Sequence, residues 1–300
     1  MTYSIVAREP ATGQLGVAVQ SHWFSVGPIV PWAEAGVGAV ATQALVDPAY
    51  GPRGLELMRA GTSAPDALAK LVAEDESADV RQVAMADAAG NVAAHTGDNC
   101  IAAAGHRIGG SFSAQANMTL RDTVWDAMAS AFEESDGELT DRLLAALDAA
   151  EVEGGDIRGR QSAAILVAAG KNTGKPWEDR LVDLRVEDHA DPLPELRRLV
   201  ALHRAYVHMD RFDQAQEAGD DVAAWVEVTE AERFAPDNQE IAFWKAQALT
   251  LAGREDEARE ILARLYRRNP DWAELLRRLP AAGLFDVDPD LLERLAAPPG

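Results

Sequence analysis

The chain of 300 residues contains one cysteine, Cys100, which rules out an internal disulfide and leaves no thiolate set for zinc. Histidine is scarce as well. None of the six imidazoles forms an i, i+4 pair with an intervening Glu, and His106, His189, His203 and His208 make no ligand cluster, so no metal and no other cofactor is expected. Basic residues are few: 28 against 49 acidic ones, a net charge of −21. That balance repels nucleic acid and anionic membranes and excludes both as expected partners. Long apolar runs are missing too. The first is broken by Arg8, Glu9 and Pro10, so neither a signal peptide nor a membrane span is expected and a cytoplasmic location follows.

What is present is a 47% hydrophobic composition, enough for a large core. The pattern changes near residue 190, and the prolines at 192 and 194 set a boundary over Asp188 to Pro194, dividing the chain into 1–190 and 191–300. In the first part Tyr3 to Ala7 and Gln14 to Gln20 read as a hairpin and Gly36 to Thr42 as a third strand. One helix opens at Gly51 and Pro52; a second starts at the capping box of Ser63 to Asp66. Strands are expected again at Arg81 to Ala86, Asn91 to His95 and Arg107 to Asn117. Helices follow, from a Thr119 cap through Phe132 and over Leu139 to Val152, and then strands at Gln161 to Ala168 and Arg180 to Val186. Strands and helix pairs segregated in this way predict an α+β fold, a four-layer αββα sandwich.

Thr2 stands directly behind Met1. A small second residue permits removal of the initiator, after which the amine of Thr2 lies beside its own hydroxyl and can serve as its base. The alternative is a strand end with a solvated hydroxyl.

Six blocks, Ser4 to Ala7, Val30 to Ala33, Gly36 to Gln43, Tyr50 to Leu55, Ala93 to Gly97 and Gly155 to Ala164, resemble in the same order the bacterial family known as domain of unknown function 1028. The resemblance spans about residues 2–190. It implies the N-terminal nucleophile hydrolase type of αββα fold and, by analogy with that superfamily, amide-bond hydrolysis with Thr2 as nucleophile.

Around Thr2, Asn117 is expected to donate its amide to a developing oxyanion, and the charged turn of Asp156, Arg158 and Arg160 to aim Gln161 and Ser162 at the nucleophile. That turn equally suits a dimer or domain contact. Thr42 and Gln43, at a strand end, are expected either to project into the cleft or to satisfy a loop. Arg53, behind the rigid loop from Pro48 to Pro52, would clamp a substrate carboxylate or pair with Asp47 or Glu56. His95, like His22, would act as an acid or base or be hydrogen-bonded structure. With Arg158 these residues make up the expected substrate-binding set, and Arg53, Arg158 and Arg160 point to an anionic small molecule.

Beyond the boundary Ala224 and Ala258, and Pro236 and Pro270, are spaced by the 34-residue period of tetratricopeptide repeats. One helical unit is expected over about Gln239 to Pro270 with Gly253 at its turn. A preceding one pairs Leu196 to Met209 with Asp221 to Phe234 across a long acidic connection, Arg211 to Asp220. Two units are fewer than the roughly three that stand alone, so they are expected to lean on the first domain or on another subunit of a homo-oligomer. Trp225, Phe243, Trp244, Tyr266 and Trp272 either line a groove for a protein partner or form the core. Two functions follow: a hydrolase of a small amide, or a non-catalytic scaffold acting through its helical repeats.

Overall fold

A computed structural model describes residues 2–297. The chain divides into two compact units, Met1–Arg198 and Leu199–Gly300. The first is a mixed α/β unit. Its strands are β1 (Thr2–Arg8), β2 (Leu15–Ser21), β3 (Pro31–Glu34), β4 (Gly38–Ala44), β5 (Arg81–Asp87), β6 (Val92–Thr96), β7 (Gly105–Ile108), β8 (Phe112–Asn117), β9 (Ser162–Ala168) and β10 (Arg180–Val186). They form two antiparallel sheets, one ordered β10-β9-β2-β1-β8-β7 and one ordered β3-β4-β5-β6.

Alternation along the strands decides what meets between the sheets. Val6, Leu15, Val17 and Val19 of one sheet face Ala39, Ala41, Ala84 and Ala86 of the other, and these small residues let the sheets approach closely. The opposite pleat of the smaller sheet, with Val40, Val83 and Met85, is covered by α1 (Tyr50–Arg59) and α2 (Ala64–Glu74). The Ser63 hydroxyl caps α2 by accepting from the Asp66 N–H. The larger sheet is covered by α3 (Val124–Glu134) and α4 (Leu139–Val152). Gly16 of β2 fits beneath α4 only because it lacks a Cβ, which would meet Leu143 Cδ1 at 2.7 Å.

Two sequence readings of this unit need correction. The expected third strand is β4, but an unforeseen strand, β3, precedes it and makes a hairpin with it, turning at Gly36 with φ +70°. Pro31 disguises β3, but it sits at the first residue of an edge strand, where a missing N–H is tolerated. Thr119 does not cap α3, whose helix begins five residues later, at Val124; its hydroxyl lies within reach of the Ala103 and Arg121 carbonyls instead.

After the short α5 (Pro176–Asp179), α6 runs from Pro192 to Glu217, with both prolines in its first turn, where no intrahelical N–H is lost. The helical unit continues with α7 (Asp221–Phe234), α8 (Gln239–Leu251), α9 (Glu255–Arg268), α10 (Asp271–Arg278) and α11 (Pro289–Ala296). The long connection expected at Arg211 to Asp220 is mostly helix. Phe212 and Ala215 bury against Val228 and Ala231, which holds the acidic stretch in α6 and leaves only a short turn. The helices of the unit at about Gln239 to Pro270 are α8 and α9, reversed at Gly253 with φ +73°. Phe243 and Tyr266 lie in its core, with Trp225, Trp244 and Trp272 packed against it. Among the described residues no helix is long and apolar enough to cross a membrane.

Candidate functional site

Thr2 begins β1, one of the two middle strands of the six-stranded sheet, between Ser21 of β2 and Asn117 of β8. Its side chain takes the pleat that faces the other sheet. The hydroxyl lies 3.0 Å from Ser21 Oγ. The Thr2 carbonyl accepts from Gln43 Nε2 at 3.1 Å and from Asn117 Nδ2 at 3.3 Å. Both amides also donate to Gln82 Oε1, at 2.7 and 3.0 Å. Gln82 Nε2 in turn reaches Thr96 Oγ1 and the Gly105 and Ala116 carbonyls at 2.9 to 3.1 Å. Below Thr2, Ser113 donates to Gln115, Gln115 to Ser4, and Ser4 to Gln43 Oε1, at 2.6 to 2.9 Å.

Every member of this chain of hydrogen bonds is uncharged. Ser4, Gln43, Gln82, Gln115 and Asn117 are all essentially inaccessible to water. Buried amides and hydroxyls without partners would each cost about 1–3 kcal/mol, so a fully paired neutral network fixes the strand ends in one arrangement. It extends from Thr96 to His106 Nδ1 at 2.8 Å. Burial, and secondly the neighbouring His95, push the His106 imidazole below its ordinary value, which favours its neutral form.

Thr2, Ser21 and Gln43 open onto a cleft of about 500 Å3, walled by Trp23, Val26, Ile29, Val30, Leu45, Val46 and Met118. Arg81 and Arg158 also line it, and no carboxylate does among the described residues. Three non-glycine residues with left-handed backbone gather here: Ala44 at φ 71° and Met118 at φ 55° on the wall, and Ser25 at φ 57° in the loop that carries Trp23 and Val26. Each such residue costs on the order of 1–3 kcal/mol, and backbone of this kind concentrates at working sites.

Of the residues singled out from sequence, Thr2, Gln43 and Arg158 line this cleft and Asn117 adjoins it. The others lie elsewhere. Thr42 and Gln43 are consecutive on β4 and so point to opposite faces; Thr42 Oγ1 donates to the Asp47 carbonyl at 3.0 Å and stays out of the cleft. The same rule sends His95 to the outer face beside Val83, where its Nε2 lies 2.7 Å from the Ala78 carbonyl, while Thr96 joins the inner network. Arg53 pairs with Glu74, a partner the local sequence did not suggest. Asn117 already has an acceptor for each Nδ2 hydrogen, so it holds Thr2 in place and has no hydrogen left for an oxyanion.

The charged turn exists but has a different task. Asp156 accepts from the His22 and Arg158 backbone N–H groups at 2.8 and 2.9 Å, and Arg160 pairs with Glu151 and Asp191. Gln161 donates to Asp188 on the surface, and Ser162, on the same pleat as Thr2 but two strands away, bridges the Val26 N–H and the Trp23 carbonyl, so neither is bonded to Thr2 and Ser162 instead anchors a wall of the cleft. Beneath Thr2, Tyr3 points the other way and donates to Glu151; burial and then that carboxylate hold its hydroxyl well above the usual range. Sequence reasoning missed Ser21, Gln82, Arg81 and Trp23. Alternation and pairing supply the missing signal: once Gln43 faces inward, its cross-strand partner Gln82 must as well.

The helical unit has a groove of its own, about 630 Å3, lined by Tyr206, Trp244 and the carboxylates of Asp210, Asp213, Glu217, Asp221 and Glu240. Among the described residues no group of His, Cys, Asp and Glu side chains could hold a metal ion.

Comparison with known proteins bears on both units. Residues 227–279 match the tetratricopeptide repeat, a region compatible with protein interaction. No curated protein matches the chain. The crystal structure of a protein from Silicibacter pomeroyi, assigned to the family DUF1028, is similar at 34% identity and a TM-score of 0.60, covering 66% of this chain and 87% of that one. The model of the family of unknown function DUF1028 matches residues 2–196, and the chain belongs to that family.

Proposed function

We propose that the first unit is a four-layer αββα sandwich of the N-terminal nucleophile hydrolase type and hydrolyses a small-molecule amide with Thr2. Met1 lies outside the described residues; its removal frees the amine on which the reading depends. The observation that carries the proposal is the Thr2 hydroxyl at the floor of a cleft, at the start of a middle strand, on a buried network without charge.

In this reading the Thr2 amine takes the hydroxyl proton as Oγ attacks the acyl carbon. The C–N bond then breaks, and the departing amine leaves with the proton that the Thr2 amine returns. Water next attacks the Thr2 ester, the freed carboxylic acid departs, and the hydroxyl is restored. Ser21, 3.0 Å away, orients Oγ, while Gln43 and Asn117 fix the Thr2 carbonyl and so the direction of its amine. Intact-mass measurement of the native protein should give a chain starting at Thr2, and a panel of small amides should be turned over by it and not by Thr2→Ala. Equal turnover by the two proteins would remove Thr2 from the chemistry.

The tetratricopeptide match at residues 227–279 supports a second reading, a scaffold that works through its helices. Met1 retained in cells would favour it.

A further inference from the structure

We infer that the cleft beside Thr2 selects amphipathic amides that carry an apolar acyl chain on one side of the scissile bond and a carboxylate on the other, the pattern of an N-acyl amino acid. The inference rests on the hydrolase reading for its reaction, but the recognition it describes can be measured without turnover.

The apolar half follows from the walls. Val26, Ile29, Val30, Val46 and Met118 surround the approach to Thr2. Trp23 and Leu45, also on the wall, are 58% and 63% exposed. Large apolar side chains left open to water beside a cleft gain by being covered, and each methylene buried there is worth about fourfold in affinity. A volume of about 500 Å3 suits a ligand of drug-like size.

The anionic half follows from the charges. In a molecule with a net charge of −21, the charged residues lining this cleft are Arg81 and Arg158. Arg81 opens β5, in register with Ala44 of the cleft wall and next to Gln82 of the network under Thr2. It donates from Nε to Asp75 at 2.9 Å and from Nη1 to the Leu45 carbonyl, so its Nη2 group is unengaged among the described residues. Asp75 and the Leu45 carbonyl hold the guanidinium in place before any ligand arrives, and a carboxylate meeting a fixed guanidinium loses little freedom in the process. Arg158 comes from the turn between α4 and β9 and lines the same cleft, its Nε and Nη2 held on the buried Asp156, so it contributes a fixed guanidinium whose charge is largely balanced. A substrate carboxylate therefore meets cations within the cleft, although the molecule as a whole repels anions.

The test uses the full-length protein as Thr2→Ala, which keeps the fold and the cleft but not the reaction. Calorimetry is run with N-hexanoylglycine, its neutral counterpart N-hexanoylglycinamide, and N-acetylglycine. N-Hexanoylglycine should bind at least about tenfold more tightly than the carboxamide, the size of a charge-assisted hydrogen bond. It should also exceed N-acetylglycine by on the order of 10²-fold, for four methylenes. Arg81→Lys should erase most of the preference for the carboxylate, Arg158→Gln a smaller part, and both should leave the preference for the longer chain. Melting temperatures of these variants within a few degrees of the parent keep the result separate from misfolding.

Equal or tighter binding of the carboxamide, a carboxylate preference that survives Arg81→Lys, or no binding of any of the three compounds would overturn the inference. Turnover by the Thr2 protein is scored separately. Hydrolysis without carboxylate preference leaves the hydrolase standing and removes this substrate class; selective binding without hydrolysis does the reverse.

Discussion

The cleft at Thr2 and the groove of the helical unit handle polar groups in opposite ways. The cleft has two arginines and no carboxylate among its described lining residues, and its floor is a sealed set of neutral amides and hydroxyls. The groove gathers Asp210, Asp213, Glu217, Asp221 and Glu240, with no cation among its described lining residues. A net charge of −21 would lead one to expect acidity in both. Charge is thus distributed unevenly: a cleft floored by a buried neutral network is lined without carboxylates, whereas an open groove between helices tolerates them at modest cost because water screens them.

The sharpest way to separate the two regions is to disable each in turn. Thr2→Ala should lower amide turnover by about 10³-fold or more while the protein unfolds at nearly the same temperature. Trp244→Ala in the groove should leave turnover unchanged. A steady-state assay on both variants decides it, and loss of activity in the Trp244 variant alone would invert the assignment.

Next in size is the neutral network. Gln82→Ala removes the acceptor shared by Gln43 and Asn117 and the donor to the Ala116 carbonyl. Orphaning several buried groups should cost about 2–4 kcal/mol, read as a lowered urea midpoint with an unchanged slope. No single carboxylate-to-amide change in the groove should approach that loss. A Gln82→Ala protein as stable as the parent would mean that the network is not held together in the way its geometry implies.

How much of this was legible beforehand depends on range. Most strands, with β3 the exception, and the α1 and α2 helices were readable because alternation, the Ser63 cap and the glycines act within a few residues. The neighbourhood of Thr2 and Gln43 was readable from their placement at strand ends. Of the two roles expected for each, Thr42 and His95 take the structural one; a strand-end position alone does not say which side is inner, and adjacent strand residues face opposite sides. The roles of Gln82, Ser21 and Arg81 depend on pairing between segments 19 to 39 residues apart, which no local pattern encodes. Arg53 shows the same limit: its actual partner, Glu74, is on the next helix, and the local sequence offered nearer candidates. In the helical unit the acidic stretch over Arg211 to Asp220 resembles a loop in composition, yet two buried apolar residues, Phe212 and Ala215, keep it helical.

Behind the cleft floor the comparison can be refined with Tyr3→Phe. The phenol donates to Glu151, which keeps Arg160 as its ion-pair partner after the change, so no charge is stranded. The loss should be about 1–2 kcal/mol, less than for Gln82→Ala, and visible by chemical denaturation. A loss as large as that of Gln82→Ala would show that the charged layer behind β1, rather than the neutral one in front of it, secures Thr2.

The smallest effect belongs to the groove. Burial, and then Asp210, Glu217 and Glu240, raise the Asp213 carboxyl above its usual range. A carboxyl with a raised folded-state value favours folding when protonated. Its contribution is fully present below the ordinary aspartate value of about 4 and is lost as pH rises through the higher folded value. At neutral pH the charged Asp213 therefore works against the fold, and Asp213→Asn should stabilise the protein at pH 7. Because Asp213 is only partly shielded and much of it stays open to water, the gain should stay below about 1 kcal/mol, and it should fade towards zero below about pH 4. Raising the salt to about 1 M should shrink the gain at pH 7, since screening then acts over about 3 Å. Melting curves of the two proteins at three pH values and two salt concentrations test this, and a gain that persists at pH 3 would mean that packing, not repulsion among the carboxylates, sets the stability of the groove.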